Sequence, residues 1–245
     1  MKTAYGLLTG TEEERQHALK EAARILRAGG LVAFPTETVY GLGGDALSPA
    51  AAAKIYAAKG RPSDNPLIVH IARVEALQPL AAEIPDAVYR LAEAFWPGPL
   101  TMILPKSEAV PRETSGGLDT VAIRLPLDPN ARALILAAGL PIAAPSANTS
   151  GRPSPTAARH VAEDLGGKID MILDGGAVAV GLESTIVDLT GRVPALLRPG
   201  AITPEMLESV LGKIEFDPVL TKPLTPDMHP KAPGMKYRHY APRVE

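Results

Sequence analysis

The 245-residue sequence predicts a mixed α/β fold (α+β in its sheet character), a twisted sheet with helices on its faces, and three observations point to it. Segments with apolar residues at helical spacing alternate with short β-type apolar runs. Those runs end in polar clusters bearing glycine and proline, where an α/β protein holds a ligand. Apolar residues make up 46% of the chain, enough for the core of one large domain or of one domain with an appendage.

Thr11 and Glu14 have capping-box spacing, so a first helix begins there and runs through Leu26 to the break at Gly29 and Gly30. Residues 31–34 form a strand that Pro35 ends, because proline removes a ladder donor and fixes φ. PTETVYGLGG then crowds hydroxyls, Glu37 and Tyr40 ahead of Gly41, Gly43 and Gly44, and reads as a loop whose glycines let it approach a ligand. Ser48 and Pro49 cap a second helix that reaches Ala58, and residues 67–71 form a buried strand. A helix over 86–95 precedes WPGPLTMIL, a turn feeding a strand. Strands at 121–125 and 141–144 flank a helix around 131–138, and a helix near 157–163 precedes strands at 171–173 and 185–189. After Ile214 proline recurs every few residues without apolar periodicity. This divides the chain into a domain over 1–213 and a proline-rich tail over 214–245.

Lys+Arg 25 against Asp+Glu 27 leaves a net charge of −2, so there is no global electrostatic footprint for nucleic acid or an anionic membrane, and any anion site is local. The absence of cysteine excludes disulfides, thiolate catalysis and cysteine metal sites. The five histidines lack paired metal spacing, so no protein-held metal is expected. No apolar run approaches the roughly 18 residues of a membrane span, and a cytoplasmic protein is expected. Neither GxxxxGK[ST] nor GxSxG occurs. GLGGDA matches the loose dinucleotide pattern but leads through Ser48 and Pro49 instead of opening a helix directly.

Several polar residues have two readings. Lys59 and Arg61 stand past a helix end, where basic residues complement the dipole; alternatively Arg61, stiffened between Gly60 and Pro62, presents its fork to phosphate or carboxylate. His70, between Val69 and Ile71, is either a satisfied core residue or a ligand contact. Arg124, between Ile123 and Leu125, must reach solvent or pair with an anion. PSANTSG can bind a ligand or cap the following helix, Ser184 follows Glu183 at a strand start, and Arg198 is held in a rigid RPG turn.

PTETVYGLG, KGRPSDNPLIVH, WPGPLT, VAIRLP, PSANTSG, ESTIVD and LRPG, in that order from about Gly29 to Thr203, resemble the YrdC-like threonylcarbamoyl-AMP synthase family. APGMKYRHYAP resembles the linker of its longer, two-domain branch, which continues into a second domain where this sequence ends at Glu245. The resemblance implies a mixed sheet around a wide basic cavity. It also implies a reaction: L-threonine, bicarbonate and ATP give L-threonylcarbamoyladenylate and pyrophosphate, the first step of N6-threonylcarbamoyladenosine formation at tRNA position 37. Mg²⁺ would arrive with ATP, not on a dedicated protein site, and a tRNA threonylcarbamoyl transferase would take the product. By likeness, Thr38, His70, Arg124, the Ala144 backbone and Ser184 form the threonine pocket, with Arg124 on the carboxylate. Lys59, Arg61, Asn65, Thr120, Ser146, Ser154 and Arg198 fall on the ATP side, with Tyr237 closing over it and Lys59 and Arg61 as the catalytic pair; Thr36 and Tyr40 fall to wall or support. Alanine at Arg61 or Arg124 is expected to remove activity and leave the fold intact. The alternative is an RNA-binding module of the same fold. A carbamoyl-transfer domain of the hydrogenase-maturation type also uses this fold, but such proteins carry cysteine-rich zinc motifs, and cysteine is absent here.

Overall fold

The computed structural model describes residues 2–220. In chain order the elements are β1 (Ala4–Leu7), α1 (Glu12–Arg27), β2 (Val32–Phe34), β3 (Gly41–Asp45), α2 (Pro49–Lys59), β4 (Ile68–His70), α3 (Asp86–Phe95), β5 (Leu100–Pro105) and β6 (Thr120–Arg124). Then follow α4 (Pro129–Ala138), β7 (Ile142–Ala143), α5 (Ala158–Leu165), β8 (Met171–Asp174), β9 (Thr185–Asp188), β10 (Ala195–Arg198), α6 (Pro204–Leu211) and β11 (Glu215–Phe216). Short 3₁₀ turns cover Val74–Leu77 and Pro218–Leu220. The strands form an eleven-stranded sheet in the order β1-β8-β2-β3-β7-β4-β6-β5-β9-β10-β11. Parallel pairs such as β4 with β6 and β5 with β9 alternate with antiparallel pairs such as β2 with β3 and β5 with β6, so the sheet is mixed.

The helix ends follow the local code. Thr11 and Glu14 form both hydrogen bonds of the capping box, Ser48 caps α2 ahead of Pro49, and Asp128 accepts from the first amides of α4. Gly60 closes α2 at φ 60, in the left-handed region, and turns the chain into KGRPSDNP.

One reading changes. GLGG is not a loop: after the crossing at residues 35–40 it is β3, hydrogen-bonded antiparallel to β2, and its glycines are there for packing. A Cβ on Gly43 would lie 2.8 Å from the Phe34 ring and 2.9 Å from Ile142, so only glycine lets the strand pass between those side chains. β1, β10, α6 and β11 are elements that the apolar pattern did not announce. β11 pairs with β10, so the sheet extends past residue 213.

Two large apolar clusters cover the sheet. One joins α1 and α4 to β2 and β8 through Leu19, Leu26, Phe34, Leu134 and Leu173; the other packs α2, α3, α5 and α6 against the central strands through Ile55, Leu91, Ile123, Val161 and Leu207. A third, small cluster of Ile68, Ile103, Ala122, Ile186 and Leu197 contains no helix residue. Its members lie on the opposite face of β4, β6, β5, β9 and β10 from Val69, Ile123 and Val187, because side chains alternate along a strand. On that face Ile68 borders a cleft.

Candidate active site

The cleft is lined by Thr36, Thr38, Val39, Gly41, Arg61, Ile68, His70, Arg124, Ala144, Pro145, Ser146, Glu183, Ser184 and Arg198. Eight expected site residues therefore meet there: Thr38, Arg61, His70, Arg124, Ala144, Ser146, Ser184 and Arg198. Strand ends bring them together. β4 and β6 pair in parallel with His70 opposite Arg124, and the antiparallel β5 places Thr101 opposite Arg124. β7 feeds Ala144, whose amide donates to the Ile68 carbonyl at 2.8 Å. Gly200 presses its turn onto the start of β9, where a Cβ would lie 2.6 Å from the Thr185 nitrogen. The turn thereby lays Arg198 across Ser184.

Arg124 is buried and saturated on one side. Its Nη2 forms a salt bridge to Glu37 Oε1 at 2.7 Å, with the two side chains 4% and 7% exposed. Nη1 donates to Thr38 Oγ1 at 2.9 Å and Nε to the Gly98 carbonyl at 3.3 Å. Burial lowers the guanidinium pKa, and Glu37 opposes that shift by its charge and its hydrogen bond. Thr38 is held in turn by Thr36, whose hydroxyl lies 2.9 Å from it and donates to the Val39 carbonyl at 2.7 Å. Arg198 donates from Nε to the Ser184 carbonyl and from Nη2 to Ser184 Oγ, at 3.0 and 3.1 Å. Ser184 Oγ also lies 2.7 Å from Thr101 Oγ1.

His70 sits edge-on to Phe34, with its Nδ1 3.2 Å from the Ile68 carbonyl. Burial first, and the Arg124 charge second, push its pKa down to about 3, against the backbone carbonyls of Ile68 and Ile142 that favour protonation. His70 is thus a neutral imidazole at neutral pH. The sign of its pH effect follows. Unfolded histidine titrates near 6.5, so below that pH the unfolded chain binds a proton that the folded chain refuses, and stability is lost as pH falls towards 3. Urea unfolding of wild type should show an excess slope of about 1.4 kcal/mol per pH unit between roughly pH 6 and 4. His70→Gln should lack that slope; an equal slope in the variant would refute the assignment.

Lys59 is only 2% exposed and lies outside the cleft lining. Its ammonium donates to the Ser146 carbonyl, to the Asn148 carbonyl at 2.5 Å and to Asn148 Oδ1 at 3.4 Å, so it clamps the PSAN loop. Burial, then the Arg61 charge, pull its pKa well below the usual lysine value, while Asp164 resists. Arg61 folds over its own loop, donating from Nη2 to Asn65 Oδ1 at 2.6 Å and to the Pro66 carbonyl at 2.9 Å. Asn65 is fully buried behind it. Ser154 donates to Glu183 Oε1 at 2.5 Å and so meets the cleft through Glu183. Thr120 does not line the cleft; it pairs with Pro105, two alternations along the Arg124 face of β6. Tyr237 lies outside the described residues. Tyr40 bonds the Gly176 carbonyl and the Gly175 amide, and burial pushes its pKa up to about 12.

Four participants were quoted within motifs without being assigned a site role: Glu37, Thr101, Asn148 and Glu183. Glu37 reaches Arg124, Thr101 reaches Ser184, Asn148 reaches Lys59 and Glu183 reaches Ser154, each from a different motif, and no spacing within one motif encodes those contacts.

A family model described as "Telomere recombination" (Sua5, YciO and YrdC) matches residues 24–200, and a model of the threonylcarbamoyl-AMP synthase C-terminal domain matches residues 202–245. The chain belongs to the Sua5/YciO/YrdC family. It is 56% identical to the threonylcarbamoyl-AMP synthase of Pyrococcus abyssi over 234 residues, covering 96% of this chain and 68% of that protein. With the Bacillus subtilis threonylcarbamoyl-AMP synthase it shares 51% identity over 245 residues, 99% of this chain and 70% of the other. The structure of P. abyssi Sua5 complexed with L-threonine superposes with a TM-score of 0.91 at 53% identity, over 100% of this chain and 70% of that one. Escherichia coli YciO gives a TM-score of 0.71 at 25% identity, over 82% and 97%.

Proposed function

We propose that this chain makes L-threonylcarbamoyladenylate from L-threonine, bicarbonate and ATP and releases pyrophosphate, committing threonine to N6-threonylcarbamoyladenosine in tRNA. The observation that carries the reading is the seating of Arg124, Thr38, His70 and Ser184 beside Arg61, Ser146 and Arg198 in one cleft. The first four groups suit an amino acid, and the two arginines with a hydroxyl suit a polyphosphate. The high identity to two threonylcarbamoyl-AMP synthases and the close fold match to a threonine complex support it.

The threonine ammonium gives up a proton and the amine condenses with bicarbonate to a carbamate with loss of water, and a carbamate oxygen then displaces pyrophosphate from the α-phosphate. Such a sequence needs positioning and charge neutralisation more than a protein nucleophile. Arg124, set between Glu37 and Thr38, is placed to receive the threonine carboxylate, and Ser184 and the Ala144 backbone bound the same end. Arg61 and Arg198 offset charge on the triphosphate, and Ser146 lines the same cleft. Lys59 acts through the PSAN loop; Asn65 acts through Arg61, and Ser154 through Glu183. Mg²⁺ enters as part of the MgATP substrate. We infer that a tRNA-modifying transferase takes the product and that both work in the cytoplasm. Among the described residues no helix is long and apolar enough to cross a membrane. RNA binding as the primary role is disfavoured by the net charge of −2 and by the pairing of Arg124 with Glu37.

Incubation with MgATP, bicarbonate and threonine should release pyrophosphate in proportion to a threonine-derived adenylate detected by mass. Release of equal size without threonine would overturn the reading.

A further inference from the structure

We propose that Glu37 is a specificity residue that acts through Arg124, making the threonine pocket select a ligand that carries its own ammonium. The inference rests on the function proposed above.

The Arg124–Glu37 pair is buried and bonded at 2.7 Å, and the neighbouring His70 is neutral, so the pair carries no net charge of its own. Glu37 is fixed from its backbone: its carbonyl accepts from the Val180 amide at 2.9 Å, and that of Thr38 from the Gly181 amide at 3.0 Å. A ligand carboxylate arriving at Arg124 makes two carboxylates share one guanidinium, a buried triad with net charge −1. Like charges at that range disfavour each other in a low dielectric. A zwitterion brings the cation that restores neutrality, whereas a hydroxy acid does not. Position alone does not require a carboxylate at residue 37, because a glutamine oxygen accepts the same Nη2 bond. Charge is what distinguishes the two. The second oxygen, Oε2, has no hydrogen-bond partner among the described residues. A buried acceptor left open costs stability, and the fold retains it beside the cleft.

The probe is 3-hydroxybutyrate, the threonine skeleton without its amino group, used as a competitor of threonine-dependent pyrophosphate release at constant ionic strength. Wild type should be inhibited only at concentrations well above the threonine KM. In Glu37→Gln the ratio of the inhibition constant to the threonine KM should fall by about tenfold, because the cation is no longer needed to balance the triad. Glu37→Asp keeps the charge and should keep the wild-type ratio even where both constants rise, which a merely structural role would not produce. An unchanged ratio in Glu37→Gln overturns the proposal. So does a wild-type inhibition constant equal to the threonine KM, a test that stands even where Glu37→Gln does not fold. Wild type without threonine-dependent release instead sinks the functional reading itself.

Discussion

Arg124→Ala is expected to reduce threonine-dependent pyrophosphate release by about 100- to 1,000-fold, the size of effect seen when one partner of a buried charge pair that grips a ligand is truncated. The same substitution is expected to weaken the fold. It strands the Glu37 carboxylate, 7% exposed, with neither Oε1 nor Oε2 bonded, and orphaning a buried ion costs about 3–5 kcal/mol. The sequence alone suggested a variant that stays folded, because it offered Arg124 no internal partner. A double substitution separates the two effects. Arg124→Met with Glu37→Leu removes both charges and should return most of the stability, since a buried pair is replaced by apolar groups of similar length. Activity should stay lost in the double variant. Urea unfolding beside pyrophosphate assays reads both outcomes. A double variant that regains activity would show that Arg124 does not hold the substrate.

The contrast between Arg124 and Glu37 marks what a linear reading reaches. A strand arginine between Ile123 and Leu125 announces an anion partner, because such a charge is not buried alone. It does not announce which anion, since Glu37 lies on another element and is brought over by the order β2-β3-β7-β4-β6. Helix caps were legible because their chemistry is local: Thr11 with Glu14, and Ser48 with Pro49. β3 was not, because Gly41, Gly43 and Gly44 carry no β signal, and their reason is the space left by Phe34, Ile142 and Ile55. The tertiary contact, not the propensity, decides there. β10 and α6 were hidden by proline-rich flanks, although Thr203 and Pro204 form an ordinary helix start. Lys59 is the converse case, where the motif was legible while the bonds of its ammonium to the Ser146 and Asn148 carbonyls depend on the fold.

Lys59→Met tests those bonds. If the ammonium clamps the PSAN loop, removing it leaves the Ser146 and Asn148 carbonyls without their donor inside the protein. Unsatisfied buried carbonyls cost about 1–3 kcal/mol each, and relief from burying the ammonium offsets part of this. A net loss of roughly 2–3 kcal/mol follows, which for a chain of this size lowers Tm by about 4–12 °C. The functional consequence should be two-sided. The loop Lys59 holds carries Ala144 and Ser146, both of which line the cleft, and it is tied to β3 and the residue before it by Leu42 donating to the Pro145 carbonyl and Ala147 to that of Tyr40. Slackening it should raise the KM values for threonine and for ATP together. A lysine that touched the nucleotide alone would behave differently, with kcat or the ATP KM changed while Tm and the threonine KM stay at wild-type values. That second pattern would return Lys59 to direct contact with ATP, and thermal melts alongside the two KM values tell the patterns apart.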